Sequence, residues 1–312
     1  MKLIRWLSIL LPCLILCIGP RSSGLMAGEI DAIRAKGEIV VSLIQEFPPF
    51  AMMVDGQLGG LDVDLAKLLA EYLGVKIRFI QPETYDQQIP KLLSGESDII
   101  IAAMTRTVER GLLVSFTDPY FEVSQAAMAR RGTVPPMSDS FFDLLEVKGL
   151  KLGVQAGTTH EKFARELFPD SAIHLFPTTA ATVDALLKGE VNAMAADSPF
   201  VRIWHATNPE HYLRIGPLLA PVTKEYYAFA IRPGDAVFLG WLNLLIDQIK
   251  IDGTLDLLNL EYFEEMAWAG RKAPAESRPT RAEMLKNKFI ARKKAMIEAR
   301  RKALTGIAPD YD

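Results

Sequence analysis

Cysteine is almost absent from this sequence. Only Cys13 and Cys17 occur, and both lie in the opening segment MKLIRWLSILLPCLILCIGP. That segment carries Lys2 and Arg5 ahead of an apolar run that is short for a membrane span, which predicts a secretory signal peptide. A mature chain without this segment would contain no thiol. Disulfides, thiol redox chemistry and cysteine metal ligands are therefore excluded from the mature protein.

Small residues indicate where the predicted signal peptide is cleaved. Ser22 and Gly24 have the spacing that favours cleavage after Gly24, and cleavage after Ala27 is the other option. Residues 1–27 are therefore assigned to the signal segment, with an uncleaved anchor as the alternative. Cys17 follows three bulky apolar residues instead of a small one, so no lipid anchor is predicted.

Motifs of catalysis and cofactor binding are also missing. The four histidines show no pairing at helical ligand spacing and no HExxH occurs, so no metal site is predicted. There is no GxSxG, phosphate loop or dinucleotide glycine motif, and no cofactor is predicted. Residues 271–312 contain 12 basic and 5 acidic side chains, a net charge of +7, which leaves −10 for the rest of a chain whose total is −3. Such an acidic body disfavours nucleic acid as a partner.

The sequence does contain an ordinary globular composition, with 49% apolar and 23% charged residues, arranged as alternating strand-like and helix-like segments. A β-branched run at 39–44 precedes an amphipathic segment at 62–74, and the alternation continues to the apolar run at 97–104. A loop rich in Pro, Ser and Gly at 132–149 separates this series from a second one, which ends in VNAMAA at 191–196. The pattern predicts an α/β protein with mainly parallel sheets and helices on their faces.

Polar side chains follow the predicted strand ends, where ligands bind in open α/β sheets. Thr105 follows the run at 97–104, Arg110 lies five residues further on, and Thr159 and Asp197 follow strands of the second series. A guanidinium and a hydroxyl suit a carboxylate, whereas an isolated Asp can face an ammonium group. Together these residues predict a site for an α-amino acid.

Several blocks, in this order, resemble family 3 of the bacterial extracellular solute-binding proteins, which are periplasmic amino-acid-binding proteins. The blocks are FPPF at 47–50, GLDVDLAKLLAEYLGV at 60–75, LLSGESDIIIAAMTRTVERG at 92–111, FTDPYF at 116–121, KLGVQAGTT at 151–159, LLKGEVNAMAAD at 186–197, and DGT with YF within 252–263. The resemblance covers roughly residues 35–265.

The resemblance implies a two-lobed type II periplasmic-binding-protein fold, with the ligand cleft between lobes joined by two crossing strands. Lobe 1 would comprise 29–121 and 230–266, lobe 2 would comprise 125–222, and 267–312 would be a basic, partly helical C-terminal extension. The resemblance also implies a periplasmic monomer whose closed form is recognised by the permease of an ABC transporter in the inner membrane.

Site residues carry over from the resemblance position by position. Arg110 matches the carboxylate clamp, Asp197 matches the amine acceptor, and the Ala103 carbonyl would also face the amine. The predicted ligand-binding set is Phe47, Phe50, Ala103, Thr105, Arg110, Thr158, Thr159 and Asp197. Ile44 stands where several binders of polar or cationic amino acids carry Asp. This departure argues against a Lys, Arg or His ligand and puts glutamine in doubt, so an acidic or an uncharged ligand remains open. Arg106 could add positive charge at the cleft mouth.

Three functions follow from these patterns. The leading one is a non-catalytic protein that captures an α-amino acid for an ABC-type importer. The scaffold also resembles periplasmic cyclohexadienyl or arogenate dehydratases, which need a general acid at the leaving hydroxyl, and Glu46 and Glu161 are the candidate acids. A ligand-sensing accessory subunit of an envelope complex is the third, and its motivation is the tail.

The tail has the pattern of a basic amphipathic helix. Thr280 and Glu283 fit a capping box. The apolar residues near one face are Leu285, Phe289, Met296 and Ala303. A helix of this kind can contact a membrane surface or an acidic protein through 280–304, and the alternative is a solvated, partly disordered extension.

Overall fold

A computed structural model of the chain describes residues 28–44, 46–54, 56–270, 290–292 and 294–299. The predicted signal peptide and most of the basic tail lie outside the described residues. The strands are β1 (Glu38–Ser42), β2 (Met52–Val54), β3 (Gln57–Gly59), β4 (Lys76–Ile80), β5 (Ile99–Ile100), β6 (Ser115–Phe116), β7 (Phe121–Val123), β8 (Gln125–Arg130), β9 (Lys151–Gln155), β10 (Ala172–Phe176), β11 (Ala193–Asp197), β12 (Ile215–Leu218), β13 (Glu225–Tyr227) and β14 (Ala230–Ile231). The α-helices are α1 (Glu29–Lys36), α2 (Leu61–Leu73), α3 (Gln88–Ser94), α4 (Val108–Gly111), α5 (Thr159–Leu167), α6 (Thr179–Lys188), α7 (Ser198–Thr207), α8 (Ala236–Ile251) and α9 (Thr254–Asn259).

Ten of the described strands form two five-stranded sheets, and we call the units built around them lobe 1 and lobe 2; β2 pairs with β3, and β7 pairs with β13. The strand order is β4-β1-β5-β14-β6 in lobe 1 and β10-β9-β11-β8-β12 in lobe 2. In lobe 1 every strand runs the same way except β14, and in lobe 2 every strand does so except β8. The expected parallel arrangement is thus found with one reversed strand in each sheet. The reversal arises because β8 and β14 are the strands by which the chain enters each lobe from the other.

Two short strands carry the chain between the lobes. β7 leads into β8 of lobe 2, β13 leads into β14 of lobe 1, and the two pair antiparallel with Phe121 opposite Tyr227. Thr105 forms an isolated antiparallel bridge to Tyr227. The backbone that joins the lobes is therefore hydrogen-bonded to the loop that carries one of the predicted ligand residues.

Helix α2 shows how the sequence pattern sets the packing. Its apolar positions recur at helical spacing, and Leu65 and Leu69 are fully or almost fully buried in the same core as Val41 of β1. The helix ends at Gly74, whose φ of 69° is readily adopted only without a side chain. This packing holds the loops after β1 and β5 at one edge of the sheet.

The end of the described chain lies against lobe 1. A π-helical turn spans Leu260–Glu265, and Lys294 Nζ lies 2.5 Å from Glu265 Oε2. Residues 290–292 and 294–299 are helical. Within the part of the chain that the structure describes, no helix has the length and apolar character to cross a membrane.

Candidate functional site

A cavity lies between the lobes, where the loops after β1, β5, β9 and β11 meet. It is lined by Ile44, Phe47, Tyr85, Ala103, Thr105, Arg110, Gln155, Thr158, Thr159, His160, Thr179 and Asp197. Its volume is about 20 Å³, which is room for one or two waters. A larger solute would enter only if the lobes moved apart.

Asp197 places a buried carboxylate in this cavity. It ends β11 and is 3% exposed. Its Oδ2 accepts a hydrogen bond of 2.5 Å from the Tyr227 hydroxyl, while its Oδ1 is buried with no hydrogen-bond partner among the described residues. Asp197 also stands at the N-cap position of α7, but its side chain makes no capping hydrogen bond there. Burying a carboxylate oxygen without a hydrogen-bond donor costs free energy, so a ligand with a cationic or N–H donor would be favoured at Oδ1.

His160 lies beside this carboxylate. Its Nε2 is 3.4 Å from Asp197 Oδ2, and the ring is buried. Burial by itself lowers the pKa of His160, but the charge and hydrogen bonding of Asp197, together with the charge of Glu225, outweigh it and raise the pKa above the ordinary value. A protonated His160 would balance part of the negative charge of Asp197.

Arg110 provides the positive side of the cavity. One of its Nη atoms donates to the Thr105 carbonyl at 2.8 Å, and the other donates to the Gly157 carbonyl of lobe 2 at 3.2 Å. Its Cζ lies 5.5 Å from the centre of the Tyr85 ring. A guanidinium has five N–H donors, so further donors can meet a carboxylate after these two bonds are made.

The loop after β5 is held by a buried acid behind the cavity. Ala103 has a φ of 46°, and its N–H donates to Asp62 Oδ2 at 2.7 Å. The Tyr120 hydroxyl donates to Asp62 Oδ1 at 2.7 Å. Burial raises the pKa of Asp62 to about 7 against the opposing effect of these two hydrogen bonds. Asp62 thus fixes an unusual backbone conformation at the position predicted to face the amine.

The two threonines of lobe 2 lie at the start of α5. Thr158 occupies the N-cap position, yet its hydroxyl makes no cap and donates to the Gln155 carbonyl at 2.7 Å. Thr159 Oγ1 accepts from Gln125 Nε2 at 3.3 Å. A helix N-terminus favours a negatively charged group, so this end of α5 suits a carboxylate held by Arg110.

The two phenylalanines of FPPF take different positions relative to the cavity. Phe47 lines the cavity and stacks on Phe200 with ring centres 5.1 Å apart. Phe50 is fully buried and does not line the cavity. It packs edge-on against Phe121, Tyr227 and Phe263. The structure therefore places Phe50 behind the site, where it supports the crossing strands instead of facing a ligand.

The predicted set and the observed lining overlap in seven residues, all of them except Phe50. Prediction from the sequence did not include Tyr85, Gln155, His160 or Thr179, and it named Ile44 only as a departure from the family pattern. The two acids nominated for dehydratase chemistry do not line the cavity. Glu46 is exposed, and Glu161 accepts from Gly157 N–H at 2.9 Å and from Arg165 Nε at 3.0 Å.

The lobes are in contact across the cavity. Besides the bond from Arg110 to Gly157, Lys162 Nζ of lobe 2 lies 2.5 Å from Glu109 Oε1 of lobe 1. The backbone of Asp86 in lobe 1 packs directly against Gly157. The described residues contain no group of three or more His, Cys, Asp or Glu side chains arranged to hold a metal ion.

The chain is similar to known solute-binding proteins over most of its length. The family model described as bacterial extracellular solute-binding proteins, family 3, matches residues 39–265. ABC transporter arginine-binding protein 1 of Escherichia coli (strain K12) is 28% identical over 249 residues, which cover 78% of this chain and 98% of that protein.

Two solved structures also match. A putative binding component of an ABC transporter from Wolinella succinogenes, complexed with lysine, is 33% identical, with a TM-score of 0.70 and coverage of 76% of this chain and 100% of that one. An ancestral amino acid-binding protein described as a precursor of cyclohexadienyl dehydratase is 35% identical, with a TM-score of 0.68 and coverage of 75% and 99%. These likenesses confirm the two-lobed type II fold predicted from the sequence.

Proposed function

The chain belongs to family 3 of the bacterial extracellular solute-binding proteins, and on that premise we propose that it captures an α-amino acid between its lobes and delivers it to an ABC-type importer. It would act in the periplasm as a monomer after removal of residues 1–27. The observation that carries the proposal is the buried Oδ1 of Asp197, which has no hydrogen-bond partner among the described residues, in a cavity that Arg110 also lines. One group suits an ammonium and the other a carboxylate.

Ligand capture would work through closure of the lobes. Asp197 and Thr159 belong to lobe 2, whereas Arg110 and Thr105 belong to lobe 1. An amino acid can meet both sets only when the cleft is closed, so its binding energy favours the closed form over the open one. A permease that recognises the closed form would then distinguish loaded from empty protein.

The test is calorimetric titration of the protein secreted by a bacterial host, unfolded and refolded to remove carried-over ligand, against the twenty amino acids. We expect at least one to bind, and Asp197→Asn to weaken that binding by about 10- to 100-fold because a charge-assisted hydrogen bond is lost. Arg110→Gln should behave likewise. Asp247→Asn and Arg202→Gln change the same residue types at exposed positions of α8 and α7, and should leave binding unchanged.

A second candidate function rests on one finding, the similarity to a precursor of cyclohexadienyl dehydratase. The nominated acids do not support it, since neither Glu46 nor Glu161 lines the cavity. Turnover of prephenate by the refolded protein, with no amino acid bound, would replace the binding proposal with the enzyme. Tight amino-acid binding without turnover would exclude the enzyme.

A further inference from the structure

His160 lines the cavity, yet the proposed function gives it no part in ligand capture. It is the second residue of α5 in lobe 2, and its ring is almost fully buried. Its Nε2 lies 3.4 Å from Oδ2 of Asp197, which ends β11 of the same lobe. The contact therefore lies within one lobe and does not depend on closure of the cleft.

The charged groups that act on His160 come from three other elements. Asp197 of β11 and Glu225 of β13 are negative, and Arg110 of α4 is positive. Strands β9 and β10 also pack against α5 but contribute no titratable side chain to the cavity wall. Among the described residues, His160 is the only basic side chain with a nitrogen within 4 Å of the Asp197 carboxylate. A proton on His160 is therefore the nearest counter-charge that Asp197 has in the ligand-free protein.

The other titratable groups nearby do not share this role. Burial and the charge of Asp197 raise the pKa of Tyr227 well above its ordinary value, and burial raises the pKa of Tyr85 to about 12, so both hydroxyls are neutral. Asp62 has a pKa of about 7 but does not line the cavity. His160 is thus the residue of the cavity wall that is best suited to change its charge near neutral pH.

A ligand ammonium would compete with this proton for the same carboxylate. Nε2 of His160 and Oδ1 of Asp197 are both buried without a hydrogen-bond partner among the described residues, so Oδ1 is open to a new donor. Two cations beside one carboxylate repel each other. Burial, which is the largest influence on the pKa of His160, favours the neutral ring, and it is less opposed once the ammonium balances Asp197.

We infer that His160 couples ligand capture to proton release: the ammonium group of the incoming amino acid replaces the proton that His160 holds beside Asp197, and that proton passes to solvent. The imidazolium becomes a neutral imidazole, and the only bond broken is its N–H bond. The inference rests on the proposed function. It makes His160 a positioning residue that sets the charge state in which Asp197 meets the ligand, so that binding tightens as the pH rises.

The first experiment counts the protons. The refolded protein is titrated calorimetrically at pH 6.5, in buffers that differ in ionisation enthalpy, with the one of the twenty amino acids that binds it most tightly. Because the pKa of His160 is raised above its ordinary value of 6.5, more than half of the free protein carries this proton at that pH. We expect release of about half a proton or more per ligand bound, and affinity about tenfold or more weaker at pH 5.5 than at pH 7.5.

The possible outcomes separate this inference from the proposed function. Amino-acid binding with no proton release, or with proton uptake, would overturn the inference and leave amino-acid capture intact. Binding of no amino acid would overturn both.

Variants assign the proton to its residue. His160→Gln keeps a polar side chain but cannot titrate, so proton release at pH 6.5 should fall by about half a proton or more relative to the parent. Any pH dependence that remains would then come from groups such as Asp62. His174→Gln changes an exposed histidine on β10 of the same lobe that does not line the cavity, and should behave as the parent does. Equal proton release by His160→Gln and the parent would refute the assignment.

A measurement on the unmodified protein covers the case in which His160→Gln does not fold. The ring signals of His160 are followed by NMR as the pH is changed, with and without the same amino acid. We expect the midpoint of the titration to lie at lower pH in the presence of the ligand, because the ammonium disfavours the charged ring. An unchanged or higher midpoint would contradict the inference.

Discussion

Gly157 offers a test of lobe closure that leaves the predicted ligand contacts in place. Its φ is +75°, and a Cβ built there would lie 2.7 Å from Asp86 Cβ and 3.2 Å from the backbone N and Cα of Asp86 in the opposite lobe. Carbon atoms in contact prefer about 3.5–4.0 Å, and backbone cannot swing aside as a flexible side chain can. Gly157→Ala should therefore keep the lobes apart by roughly 1 Å.

The size of the effect follows from where the clash occurs. Overpacking of a well-packed contact costs about 1–3 kcal/mol, and here it applies only to the closed form. Ligand affinity should fall by about 5- to 150-fold. The positive φ adds a separate cost of about 1–2 kcal/mol for an alanine, but open and closed forms bear it equally, so it lowers thermal stability and not affinity.

The assay combines calorimetric titration with small-angle scattering, using the amino acid that binds the unmodified protein. Gly149→Ala is the matched control, because Gly149 has a φ of +68° in the same lobe and no described atom lies within 4 Å of its built Cβ. The control should lose thermal stability yet bind and close normally. If Gly157→Ala binds with unchanged affinity and shows the same ligand-induced decrease in radius of gyration, the closure argument is wrong.

Three further predictions concern groups around the site. Since burial raises the pKa of Asp62 to about 7, ionisation of this carboxyl lowers the free energy of unfolding as pH rises from about 4 to 7. Asp62→Asn should remove that loss. Denaturant titration at pH 5 and pH 8 should show the unfolding free energy of the variant rising relative to that of the parent by on the order of 2–3 kcal/mol between the two pH values. Equal destabilisation at both pH values would contradict the assignment. The exposed pair of Lys162 and Glu109 should matter little, so Lys162→Gln should reduce affinity only slightly and only at low salt, as a titration series in salt would show. Tyr262→Phe removes a buried hydroxyl bonded to Asp64 Oδ2 and should cost about 1–3 kcal/mol of stability with unchanged ligand affinity; a change in affinity alone would refute this structural role.

Part of the site could be predicted from the sequence, because the ends of apolar runs indicate where strands end. Thr105, Thr159 and Asp197 each follow such a run, and the structure brings all three to one cavity. Arg110 could be predicted by its spacing from Thr105, since four-residue helix α4 keeps the two close. The positions of these residues depend on where a single strand or helix begins and ends, and the periodicity of apolar residues indicates those points.

Residues whose role depends on how the lobes face one another were not predictable. Phe47 and Phe50 lie in one short motif, and only the packing of Phe50 against the crossing strands decides which of them reaches the cavity. His160 and Tyr85 follow no local rule that separates cavity from solvent. The sequence pattern suggests that Asp62 is an exposed acid at the start of an amphipathic helix. In the structure it is fully buried and accepts hydrogen bonds from the Ala103 N–H and the Tyr120 hydroxyl.

Closure is coupled to the site through Tyr227. This residue belongs to the crossing strand β13, its backbone bridges to Thr105, and its hydroxyl donates to Asp197. The direct contacts between lobes include an exposed ion pair, a single bond from Arg110 to a neutral carbonyl, and the stacking of Phe47 on Phe200. The first two contribute little, whereas the stacked rings are buried and favour the closed form even without a ligand. Under the proposed function, a ligand would give Asp197 Oδ1 a donor in one lobe and would occupy Arg110 in the other. These interactions would exist only when the cleft is shut, and the difference would shift the equilibrium further toward closure.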